Sequence, residues 1–173
     1  AFRASAYPRQ KRYARTPARS SGSAIEFAVL PQHYLSGPSA VPLALAYSRA
    51  RTGVYAPEVR VEIYLAGGLP HFNIVGLPEA AVRESRDRVR AAIQCSNFEF
   101  PNRKITANLA PADLPKDGGR FDLAIALGIL AANGEVSVEA LSKYECLGEL
   151  ALTGELREVD GVLPAALAAA KAG

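Results

Sequence analysis

Residues 104–132 read KITANLAPADLPKDGGRFDLAIALGILAA, and this stretch decides the fold. Lys104 to Leu109 reads as a strand. A ten-residue loop, Ala110 to Gly119, follows with two prolines and two glycines, which bar regular structure. Arg120-Phe121-Asp122 then leads into Leu123–Ala132, the longest apolar run, interrupted only by Gly128. That run is far short of the ~20 residues needed to cross a bilayer. It reads as a helix buried in a core, closed by Asn133-Gly134.

Upstream, Val59, Val61, Ile63 and Leu65 alternate with Arg60, Glu62 and Tyr64, the pattern of a half-buried strand. Gly67-Gly68 turns the chain, and His71 to Val75 is expected to pair back as an antiparallel hairpin or meander. A shorter apolar run, Leu43 to Tyr47, precedes a turn at Arg49–Gly53. Pro78 and Glu79 open a helix to about Ser96, since proline suits the first helical turn and a carboxylate the positive helix end. Val82, Ser85, Val89, Ala92 and Ile93 share one face of it. Arg83, Arg86, Asp87 and Arg90 point away, with Glu79, Glu84 and Arg88 near the borders. Downstream come a short helix, 138–143, a strand pair, 147–152 and 156–159, turning at Thr153-Gly154, and an Ala-rich helix, 162–172. Antiparallel strand pairs interleaved with helices predict an α+β domain: a mixed sheet with helices mainly on one face.

Charge divides the chain in two. Of its 173 residues, 20 are Lys or Arg and 17 are Asp or Glu. Residues 1–40 hold six basic and one acidic residue, a surplus of +5, whereas residues 41–173 carry −2. The first segment, rich in Arg, Ser, Pro and Ala, is expected to be a disordered basic leader, whether native, a targeting segment or foreign to the protein. The second, 41–173, is the domain, and its balance gives no case for nucleic acid on charge alone. Cys95 and Cys146 lack the spacing of a zinc or redox motif and are expected to be two buried thiols in a reducing, cytoplasmic compartment. His33 and His71 have no companion ligands, so no metal site is expected. The sequence contains no G-x-x-x-x-G-K-[ST] phosphate loop, no G-x-G-x-x-G and no G-x-S-x-G elbow.

The loop before the apolar helix is where chemistry would sit. It delivers Lys116, Asp117, Arg120 and Asp122 to a helix N-terminus, where orphan N–H groups and a partial positive charge gather. Asp122 is expected to cap that helix, and Lys116 and Arg120 are candidates for an anion site. The plain alternative is a loop tied to its own helix by Lys–Asp and Arg–Asp pairs.

Four segments carry a resemblance across nearly all of residues 43–173: YSRARTGVYAPEVRVEI, GGLPHFNIVGLPEAAVRESRDRVRAAI, FEFPNRKITANLAPADLPKDGGRFDLAIALGILAA and LGELALTGELREVDGVLPAALAAAKAG. Together they resemble the N-terminal domain of the ComM/YifB family, the bacterial magnesium-chelatase-like AAA+ proteins. The resemblance implies a Lon-protease-like domain with the ribosomal-protein-S5 domain-2-like fold. It also implies an AAA+ module downstream that would use ATP and Mg²⁺, with no cofactor in this segment.

The Lon likeness breaks at the catalytic dyad. Lon proteases place the nucleophilic serine in a PKDGPSAG motif; here the run is Pro115-Lys-Asp-Gly-Gly-Arg120, with Arg120 at the serine's place. Leu163 falls at the place of the catalytic lysine. A guanidinium that stays charged is no nucleophile, and leucine is no base. The same pieces resemble the Lon-like domain of the RadA recombination ATPase, which also lacks the serine.

By resemblance the domain is expected to be non-catalytic, assembling a homo-hexameric motor and guiding DNA in recombination and competence. The parent is expected to be an ATPase, with no membrane contact. The candidate phosphate contacts are Arg83, Arg86, Arg88 and Arg90, then Arg103-Lys104, then Lys116 with Arg120, and Asp117 and Asp122 are structural. No aromatic row interleaves these bases, so the sequence does not support a stacking platform for single strands. Two alternatives remain: a Lon-like peptidase with a displaced nucleophile (Ser85, Ser96, Thr106 or Thr153), and a chelatase-type protein-interaction adaptor.

Overall fold

The computed structural model describes residues 43–76, 80–116 and 118–173, with the backbone alone for 80–83. The expected leader, 1–40, lies outside the described residues.

Three strands form an antiparallel set, β1 (Leu43–Arg49), β2 (Glu58–Ala66) and β4 (Lys104–Ala110). β3 (His71–Val75) lies outside β4 and runs parallel to it, giving the order β1-β2-β4-β3. This corrects the expected hairpin between β2 and β3. The turn at 67–70 carries β3 across the end of β4, leaving β2's hydrogen-bonding edge to β4. The later strand is the more apolar partner, with Ile105, Ala107 and Leu109 all fully buried. The sheet is mixed and the class α+β, as expected.

Alternation sorts the sheet into two faces. Val59, Val61, Ile63 and Leu65 point to the same side as Ile105, Ala107 and Leu109 and make the core. Helix α1 (Ala80–Cys95) contributes Val89, Ala92 and Ile93 to that core. Helix α2 (Asp122–Ala132) contributes Ala124, Ile125, Ile129 and Leu130. Gly128 lets α2 lie close on the sheet, because a Cβ there would come 2.7 Å from the Ile63 side chain. Gly76 is required twice over, by a φ of +85° and because a Cβ would sit 2.3 Å from the Leu109 carbonyl oxygen.

The remaining elements are short: α3 (Val138–Leu141), the strand pair β5 (Glu149–Leu150) and β6 (Leu156–Arg157), and α4 (Val162–Ala172). Ala165 is the one residue of α4 that is fully covered, and Leu163 and Leu167 are exposed. The strand pair is much shorter than the runs 147–152 and 156–159 suggest. The chain turns back tightly there, with Ala151 bonded to Glu155 across the turn.

The centre of the fold is polar. Asp122 is fully buried. Its Oδ1 accepts the Ser85 hydroxyl in a short hydrogen bond, and Arg88 Nε donates to Oδ2 at 2.7 Å. Arg88 Nη2 reaches Oδ1 at 3.3 Å, and the Leu150 N–H reaches Oδ2 at 3.3 Å. One carboxylate thus joins α1, α2 and β5. Burial pushes the Asp122 carboxyl up, and the Arg88 and Ser85 hydrogen bonds pull it back, while the same contact raises Arg88. The expected helix cap is corrected: the capping position is Phe121, with no side-chain bond to the helix end. The carboxylate points across the interior because α1 offers it a cation and a hydroxyl one turn apart.

A second buried pair locks β1. Arg49 makes a bidentate pair with Glu145, 2.5 Å on both arms, and donates to the Ala56 carbonyl at 2.9 Å. Beside it, Cys146 is buried and its thiol is pushed up to about 11 by burial and by Glu145. Cys95 is exposed, which corrects the expectation of two buried thiols; it is the last residue of α1, beyond the face that packs.

Two predictions follow from these contacts. Asp122→Ala leaves Arg88 and the Leu150 N–H without their acceptor, and denaturant unfolding should show a loss of about 3 kcal/mol, against about 1 for Ser85→Ala. Near pH 8 a thiol reagent should label one cysteine quickly, Cys95, and reach protonated Cys146 only on unfolding.

Candidate functional site

Two regions hold the charged residues singled out above. The first is the loop between β4 and α2. Lys116 is only 4% exposed. Its ammonium donates to the carbonyls of Gly76 at 3.0 Å and Leu114 at 3.2 Å, and to that of Pro111 in a shorter contact. Burial lowers its pKa, with Asp113 pulling partly the other way. Three carbonyls occupy the three donors of an ammonium. Lys116 therefore ties its loop to the β3–α1 turn and is not presented to an anion. Asp117 lies outside the described residues.

Arg120 is 5% exposed and donates to the Asp160 carbonyl at 3.2 Å. It borders a pocket of about 260 Å³ with Arg51, Gly118, Gly119, Glu149 and Asp160, and Glu158 also faces it. Asp160 pairs with Arg51 at 3.2 Å and Glu149 with Arg157 at 3.3 Å. Three carboxylates and two guanidiniums line the pocket. No Ser, Thr or Cys lines it among the described residues. Leu163, at the Lon lysine's position, is exposed.

The displaced-nucleophile candidates fare no better. Ser85 spends its hydroxyl on Asp122, and Thr153 donates to Glu155 at 3.2 Å. Thr106 lies on the sheet away from the core and Ser96 beside Gly154. Among the described residues, no hydrogen bond joins any of these hydroxyls to a lysine.

The second region is the corner where β3 and β4 begin. Arg86 donates to the Phe72 carbonyl at 3.4 Å. One turn on, the Arg90 guanidinium sits 4.8 Å from the centre of the Phe100 ring. Phe100 in turn meets Phe72 at 5.9 Å between ring centres. The Arg103 carbonyl accepts the His71 N–H at 3.3 Å, and Lys104 is His71's register partner. The two phenylalanines, on the helix-covered side of the sheet, thus meet Arg86 and Arg90 of α1, whereas Lys104 shares the opposite side with His71; with Arg103 just before β4, four cations lie near one end of the sheet. None of the four pairs with a carboxylate among the described residues. The structure separates Arg88 from them, since its guanidinium is spent on Asp122. The Arg83 side chain lies outside the described residues.

Sequence spacing alone missed Phe72 and Phe100 as the organisers of this corner.

If the Lon-type dyad is absent, a fluorophosphonate probe should leave the folded chain unlabelled and casein should stay intact on incubation with it. Labelling of any serine at a stoichiometric level would place a nucleophile the geometry does not contain.

Comparison with known proteins sets these sites in a family. A family model for "Subunit ChlI of Mg-chelatase" matches residues 61–173. Over 129 residues, 75% of this chain, it is 57% identical to competence protein ComM of Haemophilus influenzae. Over 131 residues, 76% of the chain, it is 53% identical to YifB of Escherichia coli. A Mycobacterium tuberculosis protein, Rv2897c, is 44% identical over 131 residues. The chain spans about a quarter of the length of these relatives, 25% of ComM and 26% of YifB. The chain belongs to the Mg-chelatase ChlI-like family, with the ComM and YifB proteins among its relatives.

Proposed function

We propose that this chain is a non-catalytic, Lon-like domain of a ring-forming AAA+ ATPase that acts on DNA, where it serves assembly and guides the nucleic acid. The observation that carries the reading is the corner of Arg86, Arg90, Arg103 and Lys104, four cations that no described carboxylate neutralises. Guanidinium and ammonium groups near one end of a rigid sheet, on α1 and at the start of β4, suit phosphates and carry no base-sequence information. The Haemophilus influenzae relative is named a competence protein, and DNA handling fits that name.

The ribosomal-protein-S5 domain-2-like fold belongs to the same proposal. The mixed four-stranded sheet with α1 and α2 on one face supports it. ATP and Mg²⁺ are assigned to the part of the longer relatives that this chain does not span, since the sequence here has no phosphate loop. The assembly role rests on α4, whose exposed Leu163 and Leu167 form an apolar helix face suited to a protein contact. The homo-hexamer is part of the same reading.

Peptidase activity has no support in the geometry, because the buried cation Arg120 stands where a hydroxyl would have to be. A chelatase-type adaptor shares the α4 contact with the proposal but leaves the cationic corner without a purpose.

The corner is tested by binding of a duplex oligonucleotide across a salt series. Because the first 40 residues carry +5, the readout is the difference between variants that share them. Arg90→Glu with Arg103→Glu should weaken binding about ten-fold in dilute salt and lower the salt slope by about two, one for each lost phosphate contact. An unchanged affinity and slope would remove the basis of the proposal.

A further inference from the structure

The domain does little to hold helix α4. Its 11 residues fall short of the ~12–15 that even an alanine-rich helix needs to stand alone in water. Its stability has to come from covering one face, yet Ala165 is the only residue of α4 that the domain buries. Leu163 and Leu167, one turn apart, are 70% and 63% exposed. Lys171 lies a further turn along the same stripe. It is the single charge on α4 and pairs with no carboxylate among the described residues. The uncovered stripe therefore reads leucine, leucine, cation.

A matching recess lies elsewhere on the molecule. Between α1 and α2 an open hole of about 150 Å³ is walled by Ile93, Phe98, Leu123, Leu127, Leu130 and Leu150. Phe98, Leu123 and Leu127 are only partly buried. Leu123 and Leu127 are one turn apart on α2, the spacing of the two α4 leucines. The hole has a direction. Arg88 meets Asp122 where α2 begins, and Gly154 lies against Ala92 and Ser96 where α1 ends. At that second end stand the last carbonyls of α1, which carry partial negative charge. Glu155, next to Gly154, is exposed there; it accepts the Thr153 hydroxyl, and no cation pairs with it among the described residues.

We infer that the α4 stripe of one copy docks in the α1–α2 hole of a second copy, with Leu163 and Leu167 over Leu123 and Leu127 and Lys171 at the Glu155 end. The inference rests on the assembly part of the reading above and names its contact; it draws nothing from the cationic corner. Three observations select a second copy. The stripe and the hole agree in spacing and apolar character. The one cation of the stripe falls where the hole offers a carboxylate and the negative end of a helix. The stripe also does not serve its own hole: no residue of α4 lines it, and the C-terminal end of α4 lies beside Tyr47 and Arg60 instead. A contact between two different surfaces of the same chain is heterologous, the kind from which rings are built.

The test follows self-association of the whole 173-residue chain by sedimentation equilibrium, up to about 1 mM. Leu163→Ser with Leu167→Ser should weaken association at least about ten-fold and leave the unfolding midpoint unchanged, because both side chains are exposed. Leu127→Glu should weaken it from the side of the hole. An equimolar mixture of the two variants keeps one intact stripe facing one intact hole and should give a 1:1 dimer. A contact of α4 with α4 is not restored that way, so a silent mixture overturns the inference. Should Leu127→Glu fail to fold, oxidation decides. Lys171→Cys should form an intermolecular disulfide with the exposed Cys95, the last residue of α1, identified by peptide mass and formed faster than the one from Lys143→Cys. Equal rates overturn the inference. Association that persists without the two leucines also overturns it, and leaves the assembly reading standing. A chain that stays monomeric at every concentration overturns both. Neither result touches the DNA reading, which the Arg90→Glu with Arg103→Glu variant judges separately.

Discussion

A single buried carboxylate holds the arrangement together. Asp122 starts the apolar helix α2, yet its oxygens serve Ser85 and Arg88 on α1 and the backbone of β5. A charge taken from water is tolerated only when a countercharge and hydrogen bonds come with it, and this site supplies both. The consequence is directional. Apolar packing between α1, α2 and the sheet would tolerate some sliding. The Asp122 contacts fix which turn of α1 faces the start of α2, and with it the places of Arg86 and Arg90, two positions either side of Arg88. Geometry at the cationic corner is thus inherited from an ion pair in the interior.

The loop before α2 makes the same point from its other end. In a Lon-type hydrolase that loop would present a nucleophile. Here its lysine is buried on three carbonyls and its arginine is turned toward the Asp160 backbone. Both cations have become part of the scaffold. The Lys116 ammonium in particular is spent on its own backbone, which ties the loop to the start of α1.

Legibility in the sequence followed the range of the interaction. Strand β2, the helix over 122–132 and the terminal helix were readable because their patterns are local, set by alternation, an apolar run and an alanine-rich composition. Pairing was not, because β3's choice between β2 and β4 depends on which neighbour covers the apolar edge. Arg88 looked like a border residue on its own helix, and only the three-dimensional position of Asp122, 34 residues on, reveals that it is consumed. Cys95 shows the limit of composition: thiols tend to be buried, yet a helix's last residue can fall outside the packed stripe.

The candidate interface obeys the same rule. Arg103 and Lys104 were visible as a basic dipeptide, and Arg86 and Arg90 as outward positions one turn apart. What Arg86 and Arg90 face was not visible, because it is made by Phe72 and Phe100, whose rings meet at 5.9 Å. Had β3 paired with β2, as the sequence suggests, His71 and the Phe72 carbonyl would lie away from Lys104 and Arg86, and the four cations would be scattered. The parallel pairing of β3 is therefore more than a topological detail. It brings the Phe72 carbonyl within reach of Arg86 and His71 beside Lys104, so that two basic pairs distant in sequence lie near one end of the sheet.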